Sequence, residues 1–159
     1  MVVPCRVPDT VILCADGSDL ATRALAAGLA ITGSDLTPIV VTVAEEVDPM
    51  LLTGTGIAGG TMSGESFDRL VQERRLGAGT VVRETAQALH LDDVETRVLE
   101  GAPGPALCAF ASEVSARAIV IGSRGRGGLK RALLGSVSDY VVRNAPCPVV
   151  VTGDLEGDD

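Results

Sequence analysis

Short unbroken apolar runs alternate along this chain with longer stretches whose apolar positions recur every three or four residues. Thr10 to Ala15 (TVILCA), Pro38 to Ala44 (PIVVTVA) and Ala118 to Ile121 (AIVI) are the unbroken runs. Their length and β-branched content predict strands buried on both faces. Pro148 to Thr152 (PVVVT) predicts a short apolar last strand at a sheet edge. Val94 to Leu99 (VETRVL) alternates instead, as a half-exposed edge strand does.

Helical periodicity fills the intervals. Ser18 is placed to cap a first helix with Asp19 in its opening turn, and Gly33 to end it. Leu20, Ala24, Ala27 and Ile31 recur at helical spacing and are expected to face inward. Ser66 to His90 predicts a long helix with Phe67, Leu70, Val71, Val82, Ala86 and Leu89 inward and a kink at Gly77 and Gly79. Gly101 to Pro105 reads as a turn, with Pro105 at the first position of a helix that buries Leu107, Phe110, Ala111 and Val114. Ser136 to Asn144 is a short helix stopped by Pro146. Residues 45–64 are glycine-rich without periodicity and are read as a long mobile loop.

Strand and helix therefore alternate throughout. The expected fold class is α/β, a single doubly wound five-stranded parallel sheet with helices on both faces. Ligands in such sheets bind at the carboxyl ends of the strands, where the winding direction reverses. Asp16 follows the first strand and Gly122 the fourth, so both face one crevice if those strands are neighbours. One domain is expected over 1–159, ending in an acidic tail at 153–159.

Composition narrows the chemistry. Aromatic residues are 2% of the chain, so the core must be Val, Leu, Ile and Ala. The net charge of −8 argues against a nucleic-acid surface. The one basic concentration, Arg124, Arg126, Lys130 and Arg131, suits a small anion. Four cysteines, at 5, 14, 108 and 147, form no C-x-x-C pair and accompany a single His, so free buried thiols are expected rather than a metal site. No apolar stretch approaches the ~20 residues that span a bilayer, and no signal-peptide pattern is visible. A cytoplasmic location without membrane association is the resulting expectation.

The segment from Ala118 to Thr152 carries the candidate site. An apolar strand runs into Gly122-Ser-Arg-Gly125, and nine residues later Gly135-Ser136 opens a helix. Glycine backbone allows close approach by a polyanion, and a helix N-terminus offers N–H groups and positive potential. The spacing predicts a phosphate-bearing ligand held largely by backbone. Gly54-x-Gly56-x-x-Gly59 spells a dinucleotide fingerprint, but the last strand residue lies about ten positions upstream, so it is read as coincidence.

The G-x2-G-x9-G-S pattern, with its flanks (IVIGSRGRGGLKRALLGSVSDYVVRNAPCPVVV), resembles the ATP-binding branch of the universal stress protein family. Thr10 to Leu25 is similar to that family's opening strand, Asp-Gly-Ser turn and first helix, and Gly101-Ala102-Pro103 to its Gly-x-Pro turn. The resemblance implies the strand order 3-2-1-4-5 and a nucleotide site at Ala15, Asp16, Val43, Ile121, Gly122, Arg124, Gly125, Gly135, Ser136 and Val137. Asp16 would contact the nucleoside, backbone at Val43 the adenine, and Gly122, Gly125, Gly135, the Ser136 hydroxyl and the Val137 N–H the phosphates. Asp16 also suits turn formation, and its acid would stand near a nucleotide-bound Mg, with no metal held by side chains alone.

The function implied is that of an ATP-binding stress-response sensor or adaptor, homodimeric through 148–152 and read by an unknown protein partner. Two alternatives remain: a slow ATPase or adenylating enzyme of the same fold class, and a stress protein that does not bind nucleotide. The first strand is followed by Asp16-Gly17-Ser18-Asp19, not the Ser-Gly-Gly-x-Asp-Ser-type loop of adenylating enzymes. No catalytic residue is assigned.

Overall fold

Five strands hydrogen-bond in the order β3-β2-β1-β4-β5, all parallel. They are β1 (Thr10–Cys14), β2 (Thr37–Ala44), β3 (Glu95–Glu100), β4 (Ala118–Gly122) and β5 (Val149–Thr152). The helices are α1 (Asp19–Thr32), α2 (Met50–Thr53), α3 (Gly64–Ala88), α4 (Pro103–Glu113) and α5 (Ser136–Asn144). This computed structural model describes residues 9–33, 35–53, 62–124 and 134–153. The acidic tail from 154, residues 54–61 with the decoy glycines, Cys5, and the stretch 125–133 lie outside the described residues.

Side-chain alternation along the strands divides the core into two layers. Ile12, Cys14, Ile39, Val41, Ile119 and Ile121 pack with Leu107, Phe110 and Ala111 of α4 and Val141 of α5. Val11, Leu13, Val40 and Val120 pack with Leu25 of α1 and Val82 and Ala86 of α3. Central strands covered on both faces must be apolar at every position, which is why β1 and β4 read as unbroken runs. β3 is an edge, and its alternating burial matches its alternating sequence.

Several local expectations are corrected. The inward face of α1 is Ala21, Ala24, Leu25 and Gly28, and Ile31 is 70% exposed. A Cβ at Gly28 would lie 2.2 Å from a Val120 methyl, so α1 sits close on β4 along a small-residue stripe. The long helix is present as expected: α3 includes Gly77 and Gly79, each costing about 1 kcal/mol in a helix interior. Its fully buried residues are confined to its C-terminal half; Phe67, Leu70 and Val71 are only half-buried. α4 begins at Pro103, two residues before the expected start. The stretch read as loop contains α2, and Val47 within it is buried. Of the thiols, Cys14 is buried while Cys108 and Cys147 are half-buried; all three are free. Among the described residues no helix is long and apolar enough to cross a membrane.

The caps of α1 agree with the sequence. Ser18 Oγ accepts from the Ala21 N–H at 3.1 Å, and Gly33 ends the helix at φ 83°, a left-handed region that favours glycine.

Candidate functional site

The winding direction reverses between β1 and β4, and at their carboxyl ends lies a cavity of about 900 Å³. Its size falls within the usual range for small-molecule sites. Ala15, Asp16, Val43, Ile121, Gly122, Arg124, Gly135, Ser136 and Val137 all line it. Gly125 lies outside the described residues, as do Arg126, Lys130 and Arg131.

Each strand exit is locked by hydrogen bonds. The Ala15 N–H donates to the Val41 carbonyl at 2.8 Å, and the buried Thr42 hydroxyl donates to the Ala15 carbonyl at 2.8 Å. Asp16 Oδ1 accepts from the N–H and hydroxyl of Ser18 at 2.9 and 2.7 Å. Asp16 therefore forms the turn into α1 and lines the cavity as well.

The two halves of the glycine motif meet through Ser123. Its carbonyl accepts from the Gly135 N–H at 2.7 Å and from the Ser138 hydroxyl at 3.1 Å, and its own N–H donates to the Thr152 carbonyl at 2.7 Å. Ser138 Oγ also lies 2.9 Å from the Gly135 carbonyl. These bonds fix the start of α5 against the exit of β4. Gly135 is the N-cap of α5, and helix geometry leaves the first N–H groups beyond it without intrahelical acceptors. Those groups and the Ser136 hydroxyl give this end of the cavity donors suited to an anion. Arg124 adds a cation there.

Cys14 lines the floor of the cavity. Burial, with a smaller contribution from the neighbouring Cys108 and Cys147, pushes its thiol well above the ordinary range, so it remains protonated and apolar. Cys108 and Cys147 are shifted in the same direction, chiefly by burial. Among the described residues no group of three or more His, Cys, Asp or Glu is arranged to hold a metal ion. His90, on the exposed side at the end of α3, is not among the residues lining the cavity.

Sequence reasoning missed a whole wall. Arg74, Gly77, Ala78 and Val81 of α3 line the cavity, as do Thr42, Ser138 and Leu134. A Gly-Ala pair inside a helix was the available signal, since small residues mark close approach. Arg74 NH1 donates to the carbonyls of Glu45 and Glu46, at 3.2 Å each, and so ties α3 to the exit of β2.

A model of the universal stress protein family matches residues 8–153. A universal stress protein of Thermus aquaticus is 35% identical over 143 residues, covering 89% of this chain and 96% of that protein. One of Methanocaldococcus jannaschii is 38% identical over 89 residues, 56% of this chain and only 52% of the relative's own length. A universal stress protein solved in complex with cAMP superposes with a TM-score of 0.61 at 25% identity, covering 92% of this chain and 97% of the other.

Proposed function

The chain belongs to the universal stress protein family, and from that premise we propose that it binds an adenine nucleotide, ATP foremost, and acts as a nucleotide-dependent sensor or adaptor in a stress response. The observation that carries this reading is the convergence of β1, β2, β4 and α5 on one cavity, with one end rich in hydrogen-bond donors suited to an anion and a separate end beside β2. Gly122, Gly135, the Ser136 hydroxyl and the Val137 N–H would hold the phosphates, joined by Gly125. Val43 backbone would meet the adenine, and Asp16 the ribose or a Mg ion carried in by the phosphates. The similar protein solved with cAMP supports an adenine ligand. Binding would shift the population of states that a partner reads.

Mass spectrometry of small molecules released from denatured protein, with calorimetry using ATP, tests the reading directly. An adenine nucleotide is expected in both. A chain that neither retains nor binds one would leave the stress protein without nucleotide as the surviving reading.

The proposed role is binding rather than turnover. Hydrolysis requires a positioned water and stabilisation of developing charge. Arg124 would serve the second task, but Asp16, whose Oδ1 accepts from Ser18, is assigned above to the ribose or Mg, and His90 is not part of the cavity lining. Turnover is expected far below the enzyme median of about 10 per second. A rate near that median, lost in Asp16→Ala, would establish an ATPase instead.

We further propose a cytoplasmic homodimer paired along β5. Among the described residues β5 has a strand neighbour, β4, on one side only. The carbonyls of Pro148 and Thr152 accept from β4, at the Ile119 and Ser123 N–H groups. In a parallel ladder this parity turns the N–H and C=O of Val149 and Val151 toward the free edge. The three valine side chains pack on the chain's own two core layers: Val149 and Val151 on the α4–α5 side, Val150 on the α1–α3 side. The edge is therefore tested through its backbone. Val151→Pro removes an outward N–H and should yield monomers by light scattering with unchanged circular dichroism. A monomeric wild type at micromolar concentration would end this proposal. Val150→Asp, by contrast, should damage folding.

A further inference from the structure

α3 contributes Arg74, Gly77, Ala78 and Val81 to the cavity, one stripe at i, i+3, i+4 and i+7. Three of the four are small or apolar. A Cβ at Gly77 would meet nothing within 4 Å, so this wall leaves an open slot. Arg74 is the charged member. Its NH1 is held by the carbonyls of Glu45 and Glu46, immediately after β2 and next to Val43. A guanidinium carries five N–H donors, and those two bonds occupy one nitrogen. The group is thus a fixed, planar cation with donors to spare at the mouth of the slot.

Its position decides what it can read. The elements that offer hydrogen-bond donors to an anion are β4 and α5, whereas Arg74 stands beside β2, with β1 between β2 and β4. Two strand spacings put about 10 Å between those ends of the sheet. A nucleotide whose phosphates rest on Gly135 and Ser136 would therefore present its base, not its phosphates, to Arg74.

We propose that Arg74 is a specificity-determining residue of this cavity: held by the backbone of Glu45 and Glu46, it lays its guanidinium on the nucleobase and favours purines over pyrimidines. The inference rests on the nucleotide reading above and adds the residue that selects the base. Arginine planes stack on aromatic faces, and a purine offers two fused rings where a pyrimidine offers one. Arg74 also borders a neighbouring compartment of about 240 Å³ lined by Glu45, Val47, Pro49 and Val71, so the base edge need not be tightly enclosed.

The test is calorimetry of wild type, Arg74→Ala and Arg74→Lys with ATP, adenosine and CTP, each variant checked for an unchanged thermal midpoint. Arg74→Ala is expected to weaken ATP and adenosine by one common factor, about three- to thirtyfold. CTP should change less, so the ATP-to-CTP ratio falls. Arg74→Lys keeps the charge without the plane and should recover only part of the loss. Three outcomes would overturn the proposal: unchanged affinity for ATP and adenosine, a loss confined to ATP and steepening at low salt, or equal losses for ATP and CTP. The second would make Arg74 a phosphate contact, the third a mere tether for α3. Wild type that binds none of the three ligands would defeat the nucleotide reading itself, and this inference with it.

Discussion

Gly135→Val is expected to weaken ATP binding at least about 100-fold, or roughly 2.8 kcal/mol at 1.4 per tenfold, while the protein stays folded. The backbone at Gly135 has φ −73°, which any residue adopts. A Cβ there would meet Ser123 O and Ser138 Oγ at 3.6 Å and Arg124 Cα at 3.8 Å, all ordinary contacts. The fold thus accepts the first carbon. The two methyls of valine would then compete with phosphate for the donors at the start of α5. Each charge-assisted hydrogen bond lost costs about 1.5–3 kcal/mol. Gly135→Ala should fall between, with a smaller loss and the same thermal midpoint. Calorimetry on the three proteins reads the result, and wild-type affinity in Gly135→Val would remove the proposed phosphate position. Gly122 is a poorer probe, because a Cβ there would lie 3.2 Å from the Arg124 carbonyl and strain the loop before any ligand arrives.

Leu25→Ala and Ile31→Ala should differ by several kcal/mol although both lie on α1. Leu25 is 0% exposed and packs with Val11, Leu13 and Val120. Its truncation removes transferred methylenes and leaves a cavity, costing about 2–5 kcal/mol. At this chain length each kcal/mol lowers the thermal midpoint by about 2–4 °C. Ile31 is 70% exposed, and its truncation should stay within about 0.5 kcal/mol of neutral. Denaturant titration of the pair decides between two faces of one helix. A large loss from Ile31→Ala would mean that another surface covers it in solution.

That comparison marks where periodicity stops being informative. Leu20, Ala24, Ala27 and Ile31 and the observed Ala21, Ala24, Leu25 and Gly28 both satisfy helical spacing, offset by about one residue. Which stripe turns inward depends on how closely α1 approaches β4. That approach is permitted by Gly28 against Val120, a contact between residues 92 positions apart. Pro103 can occupy the first helical position as well as Pro105 can, and α4 starts there, with Gly104 close against the Tyr140 ring.

The candidate site divides along the same line. Asp16 and Gly122 were legible as residues that follow apolar runs, and Arg124, Gly135 and Ser136 from the glycine spacing and its flanking cations, whereas Val43 and Val137 were implied only by the family resemblance. Ser138 was passed over because a hydroxyl in a first helical turn ordinarily faces water. Its bond to the Gly135 carbonyl lies within the first turn of α5, but its bond to the Ser123 carbonyl exists only once α5 is set against β4.

By itself, then, the sequence determined the alternating order of strands and helices along the chain and the phosphate-suited glycine spacing, because strand patterning, helix caps and turn chemistry act over a few neighbouring residues. Only the tertiary structure decided which stripe of α1 is buried, that α4 begins at Pro103, and that Arg74 stands at the cavity beside β2. Those outcomes depend on crossover packing between segments tens of residues apart, where the close approach of two backbones, rather than the preference of either segment, sets the geometry.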